Sequence, residues 1–148
     1  MKRLALLLLA GALLAGCGGS GRLSKSDYEA RLQTDGKSVQ SSVTALTKTP
    51  TTSLTAFATK IDTAEASVKK AADDLASLKP PSDAATDNVA IVAALRRIQT
   101  GLEQVKKDPL SAQKIVAAIE SSSQLKAAEK ATADLKQKGY KVGVIGAP

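Results

Sequence analysis

Apolar positions recur along most of this chain at alternating spacings of three and four, the period of a helix that buries one face. Four stretches carry the pattern. In the first, Tyr28, Leu32, Val39, Val43 and Leu46 share a face, Ser24 is placed to cap, Leu23 to staple, and Asp27 stands in the first turn. Gly36 weakens the middle, but the stripe keeps its phase across Asp35-Gly36, so the spacing predicts one helix to about Leu46. A turn at Pro50 follows, and Ser53 caps a second helix. Its seam of Leu54, Phe57, Ile61, Ala64, Val68, Ala71, Leu75 and Leu78 suits helices packed at a shallow angle, with Glu65 and Lys69 paired outside.

Lys79-Pro80-Pro81 stops that helix, because a proline donates no hydrogen bond and pushes the residue before it out of helical geometry. Ser82 or Asp83 caps a third, whose seam runs Ala84, Asn88, Ile91, Leu95, Ile98, Leu102 and Val105, widened by Val89 and Val92. Asp108-Pro109 reads as an N-cap followed by proline at the first helical position. The fourth helix points Ile115, Ala118, Ile119, Ser122, Leu125, Ala128 and Leu135 inward, is loosened at Ser121 to Ser123, and ends at Lys136, Lys138 and Gly139. The expected fold class is all-α: an up-and-down antiparallel bundle of four helices over residues 24–139, then a packed or frayed tail at 140–148. A three-helix core with the first helix swung away, and a helical hairpin that dimerises along the second seam, are the alternatives.

Composition narrows the picture. The chain of 148 residues is 43 % hydrophobic but 2 % aromatic, without tryptophan. Its core is therefore built from Leu, Ile, Val and Ala, which favours close helices over a sheet.

The first residues follow another logic. Lys2 and Arg3 precede an apolar run from Leu4 to Leu14, the layout of a secretory signal too short to span a bilayer, which needs roughly 20 apolar residues. Leu14-Ala15-Gly16-Cys17 resembles the lipobox of bacterial lipoproteins, and Cys17 is the only cysteine. The resemblance implies a signal peptide at 1–16, cleavage before Cys17, and a diacylglyceryl thioether on Cys17, a lipid anchor with palmitate-like acyl chains. It places the protein at the extracytoplasmic face of a cell membrane. Residues 17–23 form a short Gly and Ser tether, so the domain sits close to the bilayer. Leu23-Ser24-Lys25-Ser26-Asp27-Tyr28 and Leu75-Ala76-Ser77-Leu78-Lys79-Pro80-Pro81-Ser82-Asp83 also resemble small helical lipoproteins of the actinobacterial type, over about a quarter of the chain. That likeness implies address and fold, and no activity.

Candidate chemistry is sparse. Histidine is absent, which removes the commonest general base and metal ligand, and no cofactor or metal is expected. Asp73 and Asp74 diverge by about 100° on a helix and read as solvated surface, not a catalytic dyad. Asp83 and Asp87, four apart beside Asn88, have the spacing to bind a hard cation, but no EF-hand pattern accompanies them and Asp83 is better used as a cap. Asn88 lies on an apolar seam, where a hydrogen-bonded asparagine fixes helix register.

The formal charge is +7, two of it from Lys2 and Arg3. Lys69-Lys70, Arg96-Arg97 and Lys106-Lys107 are candidates for contact with anionic lipid or wall polymer, although scattered solvated charge explains them as well. An antiparallel bundle puts Lys25 and Lys79 near the anchor and Lys106-Lys107 far from it. Nucleic acid is not an expected partner, since basic and aromatic residues are not interleaved. The function expected is noncatalytic: a membrane-tethered helical domain acting by contact with an envelope protein or the envelope itself. The alternative is a small-ligand module with a pocket between helices.

Overall fold

A computed structural model describes residues 21–48 and 53–143. The lipobox Leu14 to Cys17, the Pro50 turn and residues 144–148 lie outside the described residues. The fold is all-helical, with no strand among the described residues. The described residues form five α-helices, α1 (Lys25–Lys48), α2 (Leu54–Ser77), α3 (Ala85–Lys107), α4 (Ala112–Glu120) and α5 (Ser123–Gln137), one more than the four expected.

Local chemistry accounts for the elements. Ser24 Oγ accepts the Asp27 N–H at 3.1 Å and donates to the Asp27 carboxylate at 2.6 Å, and α1 runs unbroken through Gly36. Ser53 caps α2 by accepting the Ala56 N–H. The seam of α2 is buried from Ile61 to Leu75, whereas Leu54 at its start is 79 % exposed. Lys69 does not reach for Glu65. It pairs with Asp73 one turn on, where Arg96 of α3 also approaches at 3.8 Å, while Glu65 lies toward Lys106.

Two expected caps are absent. Ser82–Ala84 is a single 3₁₀ turn without a side-chain cap, closed by the Ala84 N–H on the Pro81 carbonyl, and the Asp83 carboxylate is engaged elsewhere. Asp108 uses its backbone, donating N–H to the Gln104 carbonyl to close α3, and Pro109 opens a second 3₁₀ turn, Pro109–Ser111.

The expected fourth helix is split at its serines. Ser122 leaves helical geometry at ψ 147° and its Oγ accepts the Leu125 N–H, so it caps α5. Serine hydroxyls compete for backbone groups, which makes three in a row a natural break. The break resets the phase. Ala128 and Leu135 are buried as expected and Ala131 joins them, but Ala118 is exposed and Ile115, Ile119 and Leu125 are half-buried.

α1 packs along α2, α2 along α3, and α3 along α5, with α4 seated on α3. The first helix is therefore not swung away. Asn88 bonds the Leu75 carbonyl near one end of the α2–α3 pair and Lys106 meets Asp62 near the other, so the two helices run antiparallel. Gly139, at φ 76°, ends α5 in left-handed geometry that favours glycine, and Tyr140 turns back into the core at 4 % exposure. The tail is packed at its start.

Gly101, buried on α3, is the notch that seats α4. A Cβ there would lie 2.2 Å from Ile119 Cδ1 and 2.9 Å from its Cγ1. Gly101→Val is expected to push α4 outward and cost about 1–3 kcal/mol in urea unfolding, the usual range for overpacking. Adding Ile119→Ala should return part of that loss, because the clash is with Ile119. Equal stability of wild type and Gly101→Val would show that α4 is not seated by this notch.

Candidate functional site: the tethered end

The described chain begins at Gly21, four residues after Cys17, and its first residues are already tied down. The Leu23 N–H donates to the Lys79 carbonyl at 2.7 Å and Arg22 Nη1 to the Pro80 carbonyl at 2.9 Å. Gly21 takes φ 63°, a left-handed turn that favours glycine. The stop at the end of α2 thus leaves the Lys79 and Pro80 carbonyls free of helical donors, and the chain entering from the N-terminal side satisfies both.

Around this joint lies a polar network that links α1, α2, α3 and the end of α5. Tyr28 of α1 is fully buried and its hydroxyl donates to Asn88 Oδ1 of α3 at 3.0 Å, while Asn88 Nδ2 donates to the Leu75 carbonyl of α2 at 2.9 Å. Burial, with the negative charge of Asp87 nearby, drives the Tyr28 phenol far above its ordinary range. Tyr140 packs edge-on against Tyr28, ring centres 6.0 Å apart, and its hydroxyl donates to Asp83 at 2.7 Å. Burial and that hydrogen bond push it up to about 12. Lys138, at the end of α5, donates to the Asp87 carboxylate at 2.6 Å and to the Asp83 carbonyl at 2.7 Å. The Asp87 hydrogen bond holds the Lys138 ammonium above its usual value. Lys25 donates to the Lys138 carbonyl and stands 4.6 Å above the Tyr140 ring, a cation over an aromatic face. Start of α1, end of α2, start of α3 and end of α5 therefore meet in one joint beside the tether.

The candidates from sequence separate clearly. Cys17, with Leu14, Ala15 and Gly16, lies outside the described residues. Asn88 is buried and fully engaged, as a register-fixing residue should be. The Asp83 carboxylate accepts from Tyr140 and that of Asp87 from Lys138; among the described residues no cluster of three acidic, Cys or His side chains is placed to hold a metal. Asp73 and Asp74 pair with Lys69 and Lys70 at an exposed surface, and Arg96 approaches Asp73 at 3.8 Å, so each of these three cations has a carboxylate beside it. Lys106 is committed to Asp62 at the far end.

Sequence reasoning missed Tyr140, Lys138 as an ion-pair partner, and buried Asp87. One signal was available: with so few aromatics in the chain, a tyrosine directly after the terminator Gly139 was a candidate anchor.

No described helix is long and apolar enough to cross a membrane. The buried cluster among the described residues is rich in alanine. On the outer flank of α1 lies an open groove of about 320 Å³, bordered by Gln33, Gly36, Lys37, Gln40, Lys141 and Val142. At its near end the tail is gripped by its backbone: Glu29 accepts the Lys141 N–H and Gln33 donates to the Lys141 carbonyl, each at 3.0 Å. No protein-family model, no curated protein and no solved structure matches the chain.

Proposed function

We propose that the mature protein is a membrane-anchored extracytoplasmic lipoprotein whose noncatalytic helical domain acts by contact with envelope proteins or the envelope surface. The observation that carries this reading is Leu14-Ala15-Gly16-Cys17 at the end of a short apolar run. The tether geometry supports it. Three residues separate Cys17 from Gly21 and extend to roughly 14 Å at most, so an acylated Cys17 holds the Arg22 to Lys79 joint close to the head groups. The opposite end then faces away from the bilayer, and there Leu110 is 99 % and Leu54 79 % exposed. Exposed leucines at the membrane-distal end suit contact with a protein.

The test is the intact mass of protein extracted from native membranes. The expected species begins at Cys17 and carries diacylglyceryl mass. A lipid-free chain, or one beginning elsewhere, would sink the proposal. The small-ligand reading has one observation in its favour, the groove beside α1. A small molecule released on denaturing the native protein, and lost in a Gly36→Leu variant that fills the groove, would carry that reading.

A further inference from the structure

Asp35 occupies a place in α1 that the rest of the helix fills with apolar side chains. Tyr28, Leu32, Val39 and Leu46 line the inward face, and position 35 continues their spacing of three and four. Asp35 is 9 % exposed, and its Oδ2 is wholly buried without a hydrogen-bond partner. It borders a void of about 10 Å³ walled by Leu32, Val39, Ala71, Leu75 and Leu95, room for about one water. A water held there would find too few polar partners to replace bulk solvation.

The charged neighbours are few. On α1 there is Arg31, on α2 Lys70 and Asp74, and the α3 side chain at the void is Leu95. Lys70 is already paired with Asp74, whose charge opposes that of Asp35. Burial and Asp74 outweigh the two cations and hold the Asp35 carboxyl above its ordinary range.

α1 is unevenly fastened on either side of this residue. Toward the tether, Tyr28 and Leu32 are buried and Glu29 and Gln33 grip the tail. Toward the other end, Val39 is buried beside the void, but beyond it Val43 is 38 % exposed, Leu46 is half-buried, and Ser42 reaches Ser67 of α2 at 2.8 Å. Gly36, next to Asp35, lowers helix propensity by about 1 kcal/mol relative to alanine.

We propose that Asp35 and Gly36 form a proton-controlled hinge in α1: with Asp35 neutral the arm Lys37–Lys48 lies on α2, and with Asp35 ionised the arm opens and uncovers the apolar face of α2 around Ser67. The direction follows from linkage. A carboxyl whose folded pKa lies above its unfolded value is protonated in both states in strong acid, where closure is tightest. As pH rises from about 4 through the folded pKa, the closed state must give up a proton in a site that cannot solvate the charge, and closure weakens. Each unit of displacement in pKa corresponds to about a tenfold change in the closing equilibrium. The inference is independent of the lipid anchor.

Hydrogen exchange on an unlipidated chain of residues 18–148, corrected for intrinsic rates, tests it between pH 4 and 8. In wild type, amides of 37–48 should lose protection severalfold or more as pH rises, while those of α5 hold steady. Asp35→Asn, which keeps the shape and cannot ionise, should abolish the pH dependence. Asp35→Leu should abolish it too and protect the arm more strongly. A pH-independent arm in wild type, unchanged pH dependence in Asp35→Asn, or equal loss of protection in α5 would each overturn the hinge.

Discussion

Asn88→Ala is expected to destabilise the domain by about 3 kcal/mol and to lower its melting temperature by roughly 10 °C, the conversion usual for a domain of this size. The effect is large because two buried groups lose their partners at once. The Leu75 carbonyl is one of the last four of α2, which have no intrahelical donor once Pro80 and Pro81 stop the helix. Asn88 Nδ2 supplies that donor from α3, and Asn88 Oδ1 accepts a hydrogen bond from the buried Tyr28 hydroxyl. An unsatisfied buried donor or acceptor costs about 1–3 kcal/mol. Tyr28→Phe removes one link only and should cost about 1–2 kcal/mol. The double variant should lose less than the sum of the two, since both act through one network. Urea and thermal unfolding followed by circular dichroism read all three. A loss below about 1 kcal/mol for Asn88→Ala would mean that water replaces the side chain and that the network does not fix the helices.

Cys17→Ser should abolish the lipid mass and shift some or all of the protein out of the detergent phase, the uncut chain keeping only its apolar run Leu4 to Leu14. The serine hydroxyl offers no thiol for the thioether, so processing before residue 17 is blocked and the uncut chain accumulates. The size of the shift follows from transfer energetics. Each buried methylene contributes about 0.8 kcal/mol, so two acyl chains anchor stably where one is marginal. Phase partitioning and immunoblotting of wild type and variant provide the comparison. Wild-type protein found in the aqueous phase, with the variant indistinguishable from it, would remove the basis for a lipid anchor.

Proline and glycine punctuation determined much of the helical plan before any packing was considered. Pro80 and Pro81, Pro109 and Gly139 forbid or terminate helix locally, so the ends of α2, α3 and α5 fall where the sequence put them. The seam of α2 and the buried Asn88 were legible for a similar reason: periodicity decides which face turns inward, and a polar residue on that face must find a partner. The split between α4 and α5 was only half visible. Three serines weaken a helix, but whether it breaks depends on how firmly each half packs, and that is settled by Ile119 against Gly101 and Ala131 and Leu135 in the core.

Asp35 shows the limit most clearly. From sequence the weak point was Gly36, and the stripe's unbroken phase carried the helix across Asp35 without assigning that side chain a role. Only the packing of α1 on α2 and α3 made it a buried carboxyl facing Leu75 and Leu95. The network at the tethered end has the same origin. Tyr28, Asn88, Asp83, Lys138 and Tyr140 lie up to 112 positions apart in the chain, and no local rule links them. Sequence fixes propensities over a turn or two, through backbone geometry and side-chain period. Partners distant in the chain are chosen when whole helices dock, because desolvation makes each buried polar group accept whichever donor or acceptor the packing brings within about 3 Å.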